Sequence, residues 1–351
     1  MKSQVDLVIP TYNRPHLLRR ILEYYHQNGK DFNFIIADSS NSVNKTLNKD
    51  IINSYSDLNI LYIDKFPQTI KQHDKFIKMV NYVKSKYCVF CADDDFIIPR
   101  AINEAVKFLE KNPDYSAAHG THIGYALFKN FRLNKFFWLF RQTPYSISSS
   151  DPIERVYQHL SNYSPVIWAV RRTDVVKTCY QEFGKIKFDP YVLPVFGELL
   201  PDMLTVVYGK VKDLNTFYAV RQYFGSILSF YPSLIDAKKV GKYDTEYSKF
   251  KSSLVNNLSG QKGVSKDRAS KMLDRAIERY IKFSYQGHLM GNLSLILSKL
   301  PNFISVGLRG LNAVYLFSKP KKEKVGLIDN KSSKYFEDYN KIKQLVLKYN
   351  E

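Results

Sequence analysis

The sequence predicts an α/β protein with a mainly parallel sheet flanked by helices and a helical, basic region at its C-terminal end. Short apolar runs alternate with segments of helical spacing through the first third of the chain. Such β-α-β order predicts parallel strand pairing, with helices on the sheet faces. Polar and acidic residues follow several of the apolar runs directly. Because ligands of such sheets bind beyond the carboxyl ends of the strands, these residues are expected to converge on one edge.

The strands of this sheet are predicted at the apolar runs, which cover residues 5–10, 32–38, 59–64, 87–92 and 115–118. A helix is predicted after the first strand, with Asn13 as its N-terminal cap and Gly29 at its end. Two further helices are predicted at residues 72–84 and 99–112, where apolar residues share one helical face.

The middle of the chain carries mixed signals. An aromatic and basic stretch covers residues 131–141, and residues 165–170 are predicted as a strand. The apolar runs at residues 204–208 and 216–220 are compatible with a strand or a short helix.

From about residue 232 the chain becomes helical and basic. Residues 267–285 show an amphipathic stripe, and a last helix is predicted near residues 337–349. We favour packing of the stripe on the preceding domain over a partner-binding face. The chain is therefore divided into an α/β domain at residues 1–230 and a helical, basic region at residues 231–351.

Charge narrows the classes of partner. The chain has 52 Lys and Arg residues against 33 Asp and Glu residues, a net charge of +19. This excess favours nucleic acid, an anionic membrane or a phosphorylated small molecule. Nucleic acid is disfavoured because the basic residues are spread along the chain and no RNA-recognition, zinc-finger or basic-zipper motif is present. A lysine-rich surface that serves solubility is the remaining alternative.

The expected location is the cytoplasm. Three cysteines in 351 residues argue against a secreted disulfide scaffold, and neither a signal peptide nor a transmembrane helix is visible. The aromatic, basic stretch at residues 131–141 and the basic C-terminal region favour peripheral binding at the inner face of the cytoplasmic membrane. The alternative for the aromatic stretch is packing inside the fold.

The most informative motif is the acidic cluster Asp93, Asp94 and Asp95, which follows the predicted strand at residues 87–92. Crowded carboxylates raise one another's pKa unless a cation removes the conflict. Mn²⁺ and Mg²⁺ commonly bind one or two carboxylates together with phosphate oxygens. In an extended segment, Asp93 and Asp95 point to the same side and would share the metal, while Asp94 would pair with Lys or Arg. The alternative is a solvated turn or a helix N-cap.

Three motifs occur in a characteristic order. They are residues 8–15 (Val-Ile-Pro-Thr-Tyr-Asn-Arg-Pro), residues 35–40 (Ile-Ile-Ala-Asp-Ser-Ser) and the acidic cluster at residues 93–95. Together they resemble the inverting family 2 glycosyltransferases of the GT-A fold. The resemblance covers residues 4–120 well and extends more loosely to about residue 225. The later region departs from the family pattern, with no clear Glu-Asp pair and no Gln-x-x-Arg-Trp motif.

The resemblance implies a donor-binding set at the ends of the first, second and fourth strands. It comprises Pro10, Thr11, Tyr12, Arg14, Asp38, Asp93 and Asp94. Residues 10–12 would flank the base and ribose of a nucleotide sugar, Arg14 would reach the diphosphate, and Asp38 would accept a hydrogen bond from the base. Asp93 would contact ribose or metal, and Asp95 would hold the metal. The metal would neutralise charge on the leaving diphosphate.

An inverting transfer needs one general base near the acceptor hydroxyl, and Glu198 is the first candidate. Its neighbours in the Phe-Gly-Glu-Leu-Leu segment are apolar, which would raise its pKa, and the resembled family carries an acid at a similar position. Asp202 is the second candidate and Asp189 the third. The alternative for Glu198 is a surface glutamate after a glycine turn.

Three further residues have two interpretations each. Arg221 contacts the diphosphate from the far side or forms a surface salt bridge. His119 and His122 follow a predicted strand and would line the acceptor site, although a core or surface position is favoured for each.

These observations predict a metal-dependent, inverting glycosyltransferase of the hexosyltransferase type. It would move a sugar from a nucleotide-sugar donor, with a UDP-sugar favoured, to a glycan or lipid-linked acceptor in bacterial surface polysaccharide synthesis. A sugar nucleotidyltransferase is one alternative, but that class opens with a glycine-rich loop and residues 10–13 contain no glycine. A protein that binds glycan or nucleic acid without catalysis is the other, and the intact Asp38, Asp93 and Asp95 argue against it.

Overall fold

The described part of the chain alternates strands and helices. The computed structural model describes residues 3–130, 133–142, 145–222, 234–298, 331 and 333–349, with the backbone alone at residues 126–142 and 283–298. The strands are β1 (Val5–Thr11), β2 (Asn33–Asp38), β3 (Asn59–Ile63), β4 (Tyr87–Phe90), β5 (Phe96–Ile97), β6 (Tyr115–Asn130), β7 (Leu133–Gln142), β8 (Val170–Arg172) and β9 (Lys210–Gln222).

The helices surround these strands in chain order. They are α1 (Pro15–Asn28), α2 (Ser42–Asn53), α3 (Gln72–Met79), α4 (Pro99–Lys111), α5 (Pro152–Ser161), α6 (Thr173–Gly184), α7 (Leu193–Tyr208), α8 (Leu234–Lys239), α9 (Tyr243–Ser259), α10 (Lys266–Ser298) and α11 (Phe336–Lys348). In the part of the chain described here, none of them combines the length and apolar composition needed to cross a bilayer.

One sheet contains all of these strands. Its order is β3-β2-β1-β4-β8-β6-β9-β5, and β7 pairs with β6. The pairs β2–β3, β1–β2 and β1–β4 are parallel, as is β6–β9, whereas β8 runs antiparallel to β4 and β6. The predicted α/β fold with a mainly parallel sheet is confirmed. Parallel pairing brings the carboxyl ends of β1, β2 and β4 to the same edge.

The strand side chains alternate between two hydrophobic clusters, as the pleat of a strand covered on both faces requires. In β1, Leu7 and Ile9 belong to one cluster and Val8 to the other. Helices from the C-terminal part of the chain join both clusters. Helix α9 buries Phe250 in the cluster of Val8, and α11 buries Ile342 in the cluster of Leu7.

The amphipathic stripe predicted at residues 267–285 packs inward. Its apolar residues Ala269, Leu273, Ala276 and Ile277 are buried in the cluster that contains Val8. This confirms the expectation that the stripe covers the α/β domain. The predicted aromatic stretch at residues 131–141 falls largely on β7, and its side chains lie outside the described residues.

Several local predictions were wrong. Asn13 does not cap α1: it adopts a positive φ of 53°, and its side chain accepts a hydrogen bond from the backbone N–H of Asn41 at 2.9 Å. Of the strand predicted at residues 165–170, only Val170 lies in a strand. Proline 165 lacks the N–H that a ladder needs, and the next N–H is bonded to a side chain. Residues 204–208 end α7, and residues 216–220 lie in β9.

Candidate active site

The acidic cluster lies at the carboxyl end of β4, on the edge predicted from the strand order. The segment is a turn and not the extended stretch predicted, because the Asp95 N–H donates to the Ala92 carbonyl at 3.0 Å. Asp93, Asp94 and Asp95 are all buried, with 0 %, 9 % and 7 % exposure. Since the turn breaks the alternation of side chains, Asp93 and Asp95 face different partners.

Arg14 holds the first two carboxylates. One guanidinium nitrogen lies 2.5 Å from Asp93 Oδ1, and the other lies 2.9 Å from Asp94 Oδ2. The Thr11 hydroxyl donates to Asp93 Oδ2 at 2.7 Å. The expected pairing of Asp94 with a cationic side chain is therefore present. Arg14 keeps 31 % side-chain exposure, so its guanidinium remains accessible from the crevice.

The third carboxylate is held from β9. Arg221 Nε donates to Asp95 Oδ2 at 3.1 Å, and the Gln222 N–H donates to Asp95 Oδ1 at 3.0 Å. Burial raises the pKa of Asp95 to about 6, and Arg221 opposes this rise. Burial likewise raises the pKa of Asp93 to about 6, against the opposing charge of Arg14. Both carboxylates are thus costly to keep ionised without further cationic charge.

A buried arginine that the sequence analysis missed supports this loop from below. Arg20 on α1 donates to the Asp94 carbonyl at 3.0 Å and to the Gln222 side chain at 3.1 Å. The Tyr125 hydroxyl donates to the same side chain at 2.9 Å. The available signal was position, because Arg20 lies four residues before Tyr24, on the buried side of α1.

Asp38 ends β2 and is completely buried. Its Oδ1 accepts from the Ser40 N–H at 2.7 Å. Its Oδ2 accepts from Asn48 Nδ2 at 2.8 Å and from the Tyr62 hydroxyl at 2.7 Å. A carboxylate has about four acceptor positions, so these three donors leave one for a ligand.

Tyr12 and a buried lysine lie between the ends of β1 and β2. Tyr12 is 46 % exposed, which leaves a ring face available for stacking. Lys75 on α3 donates to the Thr11 carbonyl at 2.7 Å and to the Ser39 hydroxyl at 2.9 Å. Burial lowers the pKa of Lys75 to about 8, opposed by Asp38 and Asp93. The sequence analysis missed this cation because Lys75 looked like a surface residue of α3.

The two leading base candidates share one face of α7, four residues apart. The Tyr163 hydroxyl lies 2.8 Å from Glu198 Oε1 and 2.9 Å from Asp202 Oδ2. Burial and the neighbouring Asp202 charge raise the pKa of Glu198, as the apolar neighbours predicted. The third candidate, Asp189, instead pairs with Lys242 at 2.7 Å.

A cleft lined by aromatic residues opens onto Glu198. The lining includes Gln72, His73, Phe76, Trp168, Phe183 and Glu198. Gly197 is required here, because a Cβ at this position would lie 2.2 Å from the His73 ring. Trp168 also packs under Arg221, whose guanidinium carbon lies 5.0 Å from the ring centroid. Arg221 and Trp168 therefore connect the acidic cluster with the Glu198 cleft.

His119 and His122 are buried on β6, 1 % and 5 % exposed. Burial lowers the pKa of His119 to about 3 and the pKa of His122 well below its usual value. Both imidazoles pack near the ring of Tyr218. This is the core position that the sequence analysis favoured for them.

Comparison with known proteins agrees with this architecture. Over 117 residues the chain is 32% identical to an uncharacterized glycosyltransferase of Methanocaldococcus jannaschii, which corresponds to 32% of this chain and 39% of that protein. The match therefore spans about two fifths of the relative's length. The structure is similar to S. aureus TarS 1–349 in complex with UDP-GlcNAc, with a TM-score of 0.52 and 14% identity over 87% of this chain and 83% of TarS 1–349.

A mainly parallel sheet flanked by helices, with an acidic cluster at the carboxyl end of a central strand, defines a protein of the GT-A fold. Residues 6–177 match the model of glycosyl transferase family 2. The chain belongs to this family through that segment, and the resemblance drawn from its sequence motifs is confirmed.

Proposed function

We propose that this protein is a metal-dependent glycosyltransferase that uses a nucleotide-sugar donor and inverts the configuration at the transferred carbon. One observation carries the proposal. Arg221 pairs with Asp95 on one side and packs on Trp168 of the Glu198 cleft on the other. A leaving diphosphate at the acidic cluster and an acceptor hydroxyl at Glu198 would then meet across Arg221.

The donor side suits a diphosphate only if more positive charge is present. Asp93, Asp94 and Asp95 are balanced by Arg14 and Arg221, and a diphosphate would add further negative charge to this pair of cations. Within the described residues, no group of three or more His, Cys, Asp or Glu side chains is arranged to hold a metal ion. A site with one or two carboxylates and phosphate oxygens needs no such cage.

The residues that would hold Mn²⁺ or Mg²⁺ are Asp93 and Asp95. Their pKa values, raised to about 6 by burial, fit carboxylates that a divalent cation would relieve. The metal, when bound, would neutralise charge that develops on the leaving diphosphate. Arg14 and Arg221 would orient the same group, because guanidinium groups bind phosphate oxygens in a bidentate manner.

A UDP-sugar is the donor that we favour. Asp38 retains one acceptor position, which fits the N–H of a pyrimidine base, and Tyr12 offers an exposed ring beside it. Pro10 and Thr11 at the end of β1 would flank the ribose. The fold neighbour TarS was solved with UDP-GlcNAc, which is a donor of the same class.

Glu198 would act as the general base. A single displacement with inversion requires one group that takes the acceptor's proton. The aromatic lining of the cleft suits the apolar face of a sugar ring, and a raised pKa brings a carboxyl closer to neutral pH. Asp202 is completely buried, which makes it the weaker candidate for direct contact with an acceptor.

Thermal-shift measurements with nucleotide sugars, with and without Mn²⁺, test this proposal. We expect a UDP-sugar to raise the Tm when Mn²⁺ is present, because a ligand that binds only the folded state stabilises it. UMP with Mn²⁺ is the matched control, since it has the base but no diphosphate. A failure of every nucleotide sugar to shift the Tm would reject the donor assignment.

We also propose that the acceptor is a glycan or lipid-linked molecule of bacterial surface polysaccharide synthesis and that the protein binds the membrane surface peripherally. The net charge of +19 supports this, since each Lys or Arg near an anionic leaflet contributes about 1 kcal/mol. We expect co-sedimentation with anionic but not neutral vesicles, lost in about 1 M salt, where the screening length falls to about 3 Å. Absence of binding at low salt would contradict it.

A further inference from the structure

One phenol proton stands between two carboxylates in the cleft. The Tyr163 hydroxyl lies within hydrogen-bond distance of both Glu198 Oε1, at 2.8 Å, and Asp202 Oδ2, at 2.9 Å. A phenol has one proton to donate. If both carboxyl groups were ionised, one of them would face a lone pair of the phenol oxygen. The arrangement therefore calls for a second proton among the three groups.

The surroundings of Asp202 strengthen this requirement. Asp202 is completely buried, and its Oδ2 also accepts from the Val166 N–H at 3.1 Å. Its Oδ1 has no hydrogen-bond partner among the described residues. Two full negative charges on one face of α7, with an unpartnered carboxylate oxygen, are unfavourable in a site of low dielectric constant.

We propose that Tyr163 relays a proton between Glu198 and Asp202, and that this relay clears the catalytic base after it has taken the acceptor's proton. The inference rests on the proposed function for its catalytic part. In the step, the acceptor O–H bond breaks and an O–H bond forms on Glu198. Glu198 then passes that proton to the Tyr163 oxygen while the original phenol proton passes to Asp202. Glu198 is left ionised, Tyr163 is left neutral, and Asp202 carries the proton until it is released.

Tyr163 is thus a positioning and relay residue, since it contacts the base and not the acceptor. The groups that face the trio or its immediate neighbours come from four other elements and α5. They are His159 of α5, Cys179 and Tyr180 of α6, Arg171 of β8, Arg221 of β9 and Tyr280 of α10. The Tyr280 ring packs edge-on against Tyr163, with centroids 5.3 Å apart, so the C-terminal helical region closes this side of the cleft.

The pH dependence follows from the sign of each contribution. The Asp202 charge raises the pKa of Glu198, and the Tyr163 hydrogen bond lowers it. Tyr163→Phe should therefore move the acid limb of the kcat profile to higher pH, because ionised Glu198 loses its donor. Asp202→Asn should move the limb to lower pH, because the like charge is gone. A purely structural role for Tyr163 predicts no such opposite pair of shifts.

The first experiment needs no substrate. Infrared difference titration of the full chain should show a protonated carboxyl band that is lost in Glu198→Gln or in Asp202→Asn. Its midpoint should rise in Tyr163→Phe. The matched control is Tyr145→Phe, which removes a phenol that donates to the Gln158 carbonyl at 2.8 Å and not to a carboxylate. An unchanged midpoint in Tyr163→Phe, or an equal change in Tyr145→Phe, would overturn the relay.

The second experiment measures transfer. We expect kcat of Tyr163→Phe to fall by about 10²-fold, the lower end of the range for a positioned acid–base group, with the KM for the donor little changed. If turnover occurs and the acid limb of Tyr163→Phe coincides with wild type, the relay is wrong and the transferase assignment stands. If the carboxyl band behaves as expected but no sugar is transferred to any acceptor, the shared proton stands and the proposed function is wrong.

Discussion

Two buried acidic groups lie on either side of Arg221, and they are neutralised in different ways. On the donor side, Asp93, Asp94 and Asp95 are paired with the guanidinium groups of Arg14 and Arg221. On the base side, Glu198 and Asp202 share a phenol. Fixed cations hold charge without exchanging protons, whereas a phenol between carboxylates keeps a proton within reach. The difference assigns electrostatic work to one region and acid–base work to the other.

The two regions also differ in what supports them. The donor side is built on the α/β core, where Arg20 of α1 holds the Asp94 carbonyl. The base side depends on α7, on the segment after α5 and on Tyr280 of α10. Changes in the C-terminal helical region should therefore affect proton transfer before they affect donor binding.

Removal of the base should give the largest effect and test the division most directly. Glu198→Gln keeps the shape but cannot take a proton, so we expect transfer to fall by about 10²- to 10⁴-fold with near-normal UDP binding. Steady-state kinetics and calorimetry with UDP measure the two quantities. The matched control is Glu182→Gln, on the surface beside Lys185. Full turnover in Glu198→Gln together with a loss in Asp202→Asn would move the base to Asp202.

Removal of a donor-side carboxylate should separate the regions in the opposite sense. In Asp95→Ala we expect the Mn²⁺-dependent Tm shift by the donor to disappear and turnover to fall by at least ~10²-fold, as on loss of a comparable charge-stabilising group. Asp57→Ala is the control, since Asp57 pairs with Lys30 on the surface. Normal activity of Asp95→Ala, or full activity of wild type in EDTA, would contradict the metal assignment.

The smallest effect concerns the nucleobase and would sharpen the donor side. Asp38→Ala should weaken UDP binding by roughly 1–3 kcal/mol, the range for a hydrogen bond to a charged group, and should lower the Tm because Asn48 and Tyr62 lose their acceptor. Tyr62→Phe removes one internal donor but keeps the carboxylate, so it should lower the Tm without weakening UDP binding. Equal UDP affinity of Asp38→Ala and wild type by calorimetry would show that the base binds elsewhere.

Much of the donor side was predictable from the sequence. Apolar runs followed by polar residues located β1, β2 and β4 and placed the acidic cluster at their carboxyl ends. The partner of Asp94 was predicted as a cation, and Arg14 fills that role. The turn at residues 93–95 was not predictable, because the backbone hydrogen bond from Asp95 to Ala92 leaves no trace in hydrophobic periodicity.

The base side was predictable only as a set of acidic residues. Apolar residues fill most of α7, so periodicity did not distinguish its helix from a strand. Without the helix, the four-residue spacing of Glu198 and Asp202 had no structural meaning. Asp189 was ranked as a candidate for the same reason, although the fold directs it to Lys242.

By itself, the sequence determined the order of strands and helices, the edge where the acidic residues gather and the family motifs, because these depend on local periodicity and on residues close in the chain. Only the tertiary structure decided which charges are paired. Arg221 reaches Asp95 across 126 residues, Arg20 reaches Asp94 across 74, and Tyr163 reaches Glu198 across 35. Such contacts depend on how the sheet and helices pack, and no local pattern of apolar residues encodes them.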